Sequence, residues 1–323
     1  MYRSAFALVF FSAAALTADR NAVLWSDPGH VEKLDLAAGP LGPHGAPRPP
    51  FVFQQEEGGG STPKILLQDA ARRVWSVKWG DEVRGEVFAT RLLWAVGYIA
   101  EPSYFVRNGT IDSVGALSRA EAKIDRGRSN AFYNARFELR PIDIFPAAKT
   151  WNWDDNPFQD TPELKGLKIM VMLVSNWDAK DGRDDGPNTG ILRVKREDGT
   201  EELHYLITDW GASMGKWGGI VTREKWDCKA FAAQTGDFVQ GVEDGRVRFG
   251  FRGVRAGEIG GDITVHDVRW LMQYLGRISN NQLRDALNAS GATPTETACF
   301  TPALRERMEQ LRRVAGATAH SRR

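Results

Sequence analysis

Four aspartates fall within eight positions, Asp178, Asp181, Asp184 and Asp185, and the amide of Asn188 follows. A further acid, Asp209, stands in "DWG" after a second apolar run. Upstream, Lys78 lies near the end of "VWSVKWG", and Glu86 comes eight positions later. Carboxylate and amide oxygens suit Mg²⁺, which in turn carries polyphosphates into protein sites. A separate carboxylate beside an acceptor hydroxyl can take its proton. These two tasks require two acids held apart, while an ammonium group faces the phosphate oxygens.

Simpler readings of the acidic segment are a solvated loop or a calcium loop. An EF-hand register with Gly186 sixth puts Arg183 third and Leu192 twelfth, where oxygen ligands belong, so it fails. "EEGGGSTPK" is not a Walker loop either, because Lys64 lacks a preceding glycine and Ile65 replaces the Ser or Thr.

The elements that must position these residues follow from periodicity. "FVFQQE", "KILLQ" and "VWSVKWG" read as three short strands joined by hairpin-like turns. "EVRGEVFATRLLWAVGY" reads as a helix with an apolar face of Val83, Val87, Leu92, Trp94 and Val96, ending near Gly97. "SYFVRNG" and "NARFELRP" are further strands. Thr161 is an N-cap ahead of Pro162, opening a helix through "ELKGLKIMVMLVSN" whose all-round apolar second half implies deep burial. "GILRVK" and "LHYLIT" form a hairpin around Asp198-Gly199, and Asp209 follows it directly. Three more helices are read in "VHDVRWLMQYLGRI", "SNNQLRDALNASG" and "ALRERMEQLRRV". Residues 19–48, rich in Pro, Gly and Ala, read as an extended arm rather than a packed unit.

A buried helix into Asp178, then Asn188, a tight hairpin and Asp209 is the order of a protein-kinase-like active site. At these residues the sequence resembles the atypical branch of the kinase superfamily, which includes type II phosphatidylinositol 4-kinases, HipA-like kinases and secreted kinases. "VKWGDEVRGEVFATRLLWAVGY", "NWDAKD" and "YLITDWGAS" carry the likeness. From Phe51 onward the chain also resembles a group of exported bacterial proteins with "WKVKxGxEVRPEVxATRLLWAxGY" and "NNWDLKDxNN".

The resemblance implies an α+β, bilobal protein-kinase-like fold. It has a β-rich N-lobe over 49–140 and a mainly helical C-lobe over 141–323. It implies ATP and Mg²⁺ as cofactors and a protein, lipid or small molecule as acceptor. Asp178 would be the catalytic base, Lys78 the phosphate ligand and Glu86 its partner. Asn188 and Asp209 would hold metal, with Gly59, Gly60 and Ser61 in a loop over the phosphates. The catalytic-loop Asn of such sites follows its Asp by five positions, and here the gap is ten. Either residues around "GRDDG" bulge outward, or Asp181 or Asp185 takes the place of Asn188.

The rest of the composition limits other functions. Lys and Arg number 42 against 41 Asp and Glu, a net charge of +1, which is no nucleic-acid footprint. The opening "MYRSAFALVFFSAAALTADR" reads as a secretory signal over 1–18, too short for a membrane span, so the protein is expected to be exported. Cys228 and Cys299 are the two cysteines, equally compatible with a disulfide or two free thiols, and no structural zinc pattern exists. Two other functions compete with a phosphotransferase. One is a catalytically inactive binding protein on the same fold. The other is an exported carbohydrate or cell-wall binder using Trp151 and Trp153 of "WNWDDNPF" for sugar stacking.

Overall fold

The structure, a computed structural model, describes residues 21–316 apart from 61, 142–143, 148–149 and 220. The signal reading over 1–18 and the site assignment of Ser61 lie outside the described residues.

After the short strand β1 (Ala22–Val23), strands β2 (Phe51–Glu57), β3 (Lys64–Gln68) and β4 (Val74–Trp79) follow as antiparallel neighbours. Helix α1 (Val83–Ala95) separates them from β5 (Ser103–Asp112) and β6 (Ala131–Arg140). These strands close a barrel in the order β2-β3-β4-β6-β5, sealed by a parallel pairing of Phe51 with Ile111. The strand pattern explains the closure. Ile65, Leu67, Trp75, Val77, Trp79 and Phe137 alternate with polar positions and fill one core. The opposite face of the same strands carries Lys64, Lys78, Arg136 and Glu138, and β4 pairs Lys78 with Arg136 and Ser76 with Glu138.

The second part opens with β7 (Ile144–Pro146) and helix α2 (Pro162–Leu173). Thr161 caps α2, its side chain accepting from Leu164 N at 3.3 Å, and every residue from Leu164 to Leu173 is buried. Strands β8 (Thr189–Lys195) and β9 (Glu201–Ile207) form the expected hairpin, and they complete a sheet in the order β1-β9-β8-β7. Then come α3 (Cys228–Ala233), the hairpin β10 (Val239–Glu243) and β11 (Arg246–Phe249), α4 (Ala256–Gly260), α5 (Val265–Leu275), α6 (Asn280–Ala289) and α7 (Pro294–Gly316). The α+β architecture is therefore as read: β-rich first, mainly helical after. Capping boxes at Thr264 and Ser279 start α5 and α6 where the sequence places them. Cys228 and Cys299 form a disulfide, Cα–Cα 6.1 Å, which settles the alternative left open by spacing.

The arm differs from expectation. It has little regular structure, but it is packed: Leu24, Val31 and Leu36 are buried in the larger core. β1 adds to the edge of β9, pairing Ala22 with Leu203. Trp25 Nε1 donates to Val96 O at 2.7 Å, Gln282 Nε2 to Val31 O at 2.8 Å, and Arg91 Nη1 to Leu36 O at 2.9 Å. Pro and Gly limit regular structure to β1 and a single 3-10 turn at Val31–Lys33, and side chains of other elements bond to several of the arm's carbonyls instead. Gly97, with φ +95°, ends α1 where the arm crosses, and a Cβ there would meet Ser26 O at 2.2 Å.

Candidate functional site

Lys78 points from β4 toward α1. Its Nζ lies 2.6 Å from Glu86 Oε1, and 3.9 Å from Asp209 Oδ2. Both Lys78 and Glu86 are buried. Burial alone would lower the Lys78 amine, but the carboxylates of Glu86, Asp209 and Glu82 hold it above the usual lysine range. Burial pushes Glu86 up to about 7 against the pull of Arg136 and Lys78.

The hairpin delivers the other side. A backbone bond from Thr208 N to Asn188 O, 2.8 Å, extends the β8–β9 register by one pair. Asn188 is thereby fixed beside the residue that precedes Asp209. Its Nδ2 donates to Asp178 O at 2.5 Å and to Asp178 Oδ2 at 3.2 Å. The ten-residue gap closes because Asn188 N donates to Lys180 O at 3.2 Å, so the intervening residues loop outward. Arginines pin that bulge. Arg183 binds Asp181 and Asp154, with its Nη1 2.7 Å from Asp154 Oδ2, and Arg255 Nη2 lies 2.9 Å from Asp184 Oδ1. Asp181 is fully buried, accepting from Trp153 N at 3.2 Å, and Asp185 is exposed on the bulge. Neither lines the cleft, so neither takes the place of Asn188.

Lys78, Glu86, Asp178, Asn188 and Asp209 all line one cleft of about 750 Å³ between the barrel and the second part of the chain. Gly60 lines it too, while Gly59 is exposed on the same loop and is not among the lining residues.

Further groups around the cleft were not read from the sequence. Lys180 lines the cleft with its Nζ 3.4 Å from Asp178 Oδ2. Asn176 Nδ2 donates to Asp209 O at 3.3 Å, tying the segment before Asp178 to the end of β9. Arg136 sits between Glu86 Oε2 at 3.0 Å and Glu138 Oε2 at 2.6 Å, and Arg140 continues the chain of charges to Glu138 at 2.6 Å and Glu101 at 3.1 Å. The signal for these was charge at period two in "NARFELR", a pattern that puts Arg136, Glu138 and Arg140 on one face of a strand. Glu82 also contacts Lys78, at 2.5 Å.

Trp151 and Trp153 are buried, and their rings meet edge to face at 4.9 Å. Trp151 Nε1 donates to Gly190 O and Leu206 O, both at 3.1 Å, so it underpins the hairpin. The sugar-stacking reading of these two rings is thereby withdrawn.

As for metal, the donor set fits a hard divalent cation: the Asp209 carboxylate, the Asn188 amide oxygen and the Asp178 carboxylate are all oxygen donors. Among the described residues no group of three or more His, Cys, Asp or Glu is placed to hold a metal by itself.

No family model and no curated protein matches the sequence. Solved structures with a similar architecture include the Golgi casein kinase, 11% identical, covering 90% of this chain and 77% of that one at a TM-score of 0.43. The Golgi casein kinase with Mn/ADP bound is also 11% identical, covering 90% and 76% at 0.41. The Rio2 kinase of Chaetomium thermophilum, in an ADP/Mg²⁺-phosphoaspartate complex, is 14% identical, covering 80% and 72% at 0.31. Among the described residues no helix is long and apolar enough to cross a membrane.

Proposed function

We propose that the protein is a Mg²⁺- and ATP-dependent phosphotransferase acting on a hydroxyl-bearing acceptor, built as a kinase-like barrel lobe over a helical lobe. The observation that carries this reading is the placement of Lys78. Its ammonium lies 2.6 Å from Glu86 and 3.9 Å from Asp209, in the same cleft as the hydrogen-bonded pair Asp178 and Asn188.

Lys78 grips phosphate oxygens, and Glu86 keeps its side chain from wandering in the cleft. The Asp178 carboxylate accepts the proton of the acceptor hydroxyl as its oxygen bonds to the terminal phosphorus and the bond to the leaving diphosphate breaks. Asn188 fixes the orientation of Asp178 through its two contacts. Lys180, beside Asp178, adds positive charge where the transferring group accumulates negative charge. Asp209 and Asn188 would hold Mg²⁺, which when bound neutralises phosphate charge. Gly60 and its loop cover the phosphate end. Export belongs to the same proposal, and the Cys228–Cys299 bond suits an oxidising compartment.

Thermal-shift titration with Mg²⁺–ATP, followed by a transfer assay over protein, lipid and small-molecule acceptors, tests the proposal. Wild type is stabilised by Mg²⁺–ATP, Asp209→Ala loses the Mg²⁺-dependent part, and Asp178→Asn binds nucleotide but transfers about 10²–10⁴-fold more slowly. Absence of any shift in wild type refutes it. Binding without transfer to any acceptor makes the protein a nucleotide binder instead.

A further inference from the structure

Three donors from three separate elements converge on one carboxylate, that of Glu82. Lys78 Nζ, from β4, lies 2.5 Å from Oε1. Thr62 Oγ1, from the loop between β2 and β3, donates to the same oxygen at 2.9 Å. Lys225 Nζ, from the segment after Asp209, lies 2.7 Å from Oε2. Burial works against ionisation of Glu82, yet Lys78 and Lys225 hold its carboxyl down at about 2.

Two ammonium groups and a hydroxyl aimed at one point are the donors that suit a phosphoryl group. A carboxylate resembles that group in charge and in offering several acceptor lone pairs. The location agrees. Thr62 and Lys78 line the main cleft, whereas Lys225 lines a neighbouring pocket with Arg84, Trp226 and Glu296. The Glu82 carboxylate stands between the two spaces. Glu82 is also next to Asp209: a Cβ on Gly211 would lie 2.7 Å from Glu82 Cβ and 3.0 Å from Asp209 Oδ1. Lys78 has three protons to donate, and Glu82 and Glu86 already engage two of them. Full engagement of a polyphosphate by Lys78 therefore competes with Glu82.

We propose that Thr62, Lys78 and Lys225 form a phosphoryl-oxygen site that Glu82 fills with its own carboxylate, so that a nucleotide polyphosphate binds by displacing Glu82 from these donors. This rests on the phosphotransferase reading and adds two ligands, Thr62 and Lys225, and one internal competitor to it. A plain structural clamp would behave in the opposite way, because loosening it would weaken binding.

Isothermal titration of Mg²⁺–ADP and of inorganic tripolyphosphate into the full chain separates the two. Tripolyphosphate isolates the phosphate grip from base and ribose contacts. Glu82→Gln binds both probes about tenfold tighter than wild type, a difference of about 1.4 kcal/mol. Thr62→Val and Lys225→Met bind them about threefold to tenfold more weakly, the scale of one lost polar contact. Asp81→Asn removes the same charge one residue away on an exposed side chain, and stays within about twofold of wild type because exposed charges are screened. Unchanged or weaker binding by a folded Glu82→Gln overturns the proposal. If Glu82→Gln does not fold, wild-type affinity in Thr62→Val and Lys225→Met overturns it equally. In either case nucleotide binding by wild type leaves the phosphotransferase reading standing. If neither probe binds wild type or Glu82→Gln, both fall together.

Discussion

The Arg307 guanidinium lies 3.6 Å from the centroid of the Phe231 ring, fully buried, and among the described residues no carboxylate pairs with it. Its Nη1 donates to Leu173 O, at the end of α2, and to Ser175 Oγ, both at 2.8 Å, while Nη2 donates to Phe231 O at 3.0 Å. One cation thus joins the end of α2, the approach to Asp178, and α3 beyond Asp209. Carbonyls at a helix C-terminus and the faces of Trp217, Phe231 and Phe238 stand in for a counter-charge. Burial nevertheless pushes the guanidinium pKa well below its usual value.

Replacing Arg307 by Met keeps much of the apolar stem but leaves those acceptors unpaired. The expected loss is about 3 kcal/mol in urea unfolding. Arg307→Lys recovers only part of it, because a single ammonium cannot reach acceptors spread around a planar fork.

Gly85 lets α1 lie close against the segment after Asp209, where a Cβ would sit 2.9 Å from Ser213 O. Gly85→Ala improves helix propensity by about 1 kcal/mol. The forced shift costs about 1–3 kcal/mol, so a lower melting temperature is expected. The same shift moves Glu86, one residue on, so the Kd for Mg²⁺–ADP rises although residue 85 touches no ligand. An unchanged Kd would mean that α1 tolerates the displacement.

The pH dependence has a definite sign. Burial raises Glu86 to about 7 and Glu101 to about 8. Folded-state values above the unfolded one mean that the native state binds more protons in this window. Their contribution is complete below about pH 4.5 and is lost as pH rises through about 7 to 8. Melting temperature is therefore expected to fall between pH 5.5 and about 8.5. Glu101→Gln flattens that slope, and an equal slope in both proteins contradicts the assignment.

The Cys228–Cys299 disulfide spans 71 residues and anchors the start of α3 to α7. Closing a loop of that length constrains the unfolded chain by about 4 kcal/mol. Reduction with dithiothreitol lowers the melting temperature of wild type. The Cys228→Ser/Cys299→Ser double variant starts from the lower value and does not respond to reductant.

Local pattern revealed much of the framework. Period-two runs marked β2, β3, β4, β5 and β6, and the Thr161-Pro162 start marked α2. Asp198-Gly199 marked the hairpin that carries Asn188 and Asp209 together. The α3 helix and the β10–β11 hairpin were not seen, because six residues and four to five residues are too short for a period to stand out. The arm was misjudged because Pro and Gly report backbone preference only. They say nothing of Leu24, Val31 and Leu36, which find places in the core.

By itself, the sequence determined the types of the longer elements, through local periodicity, and the chain order of Lys78, Glu86, Asp178, Asn188 and Asp209. Only the tertiary structure decided which charges meet. Glu82 between Thr62, Lys78 and Lys225, and Arg136 between Glu86 and Glu138, depend on strand register and on how the barrel packs against the rest of the chain. Those contacts join residues up to 143 positions apart, between Lys225 and Glu82. No periodicity in a single segment encodes them, because they exist only once burial has brought distant faces together.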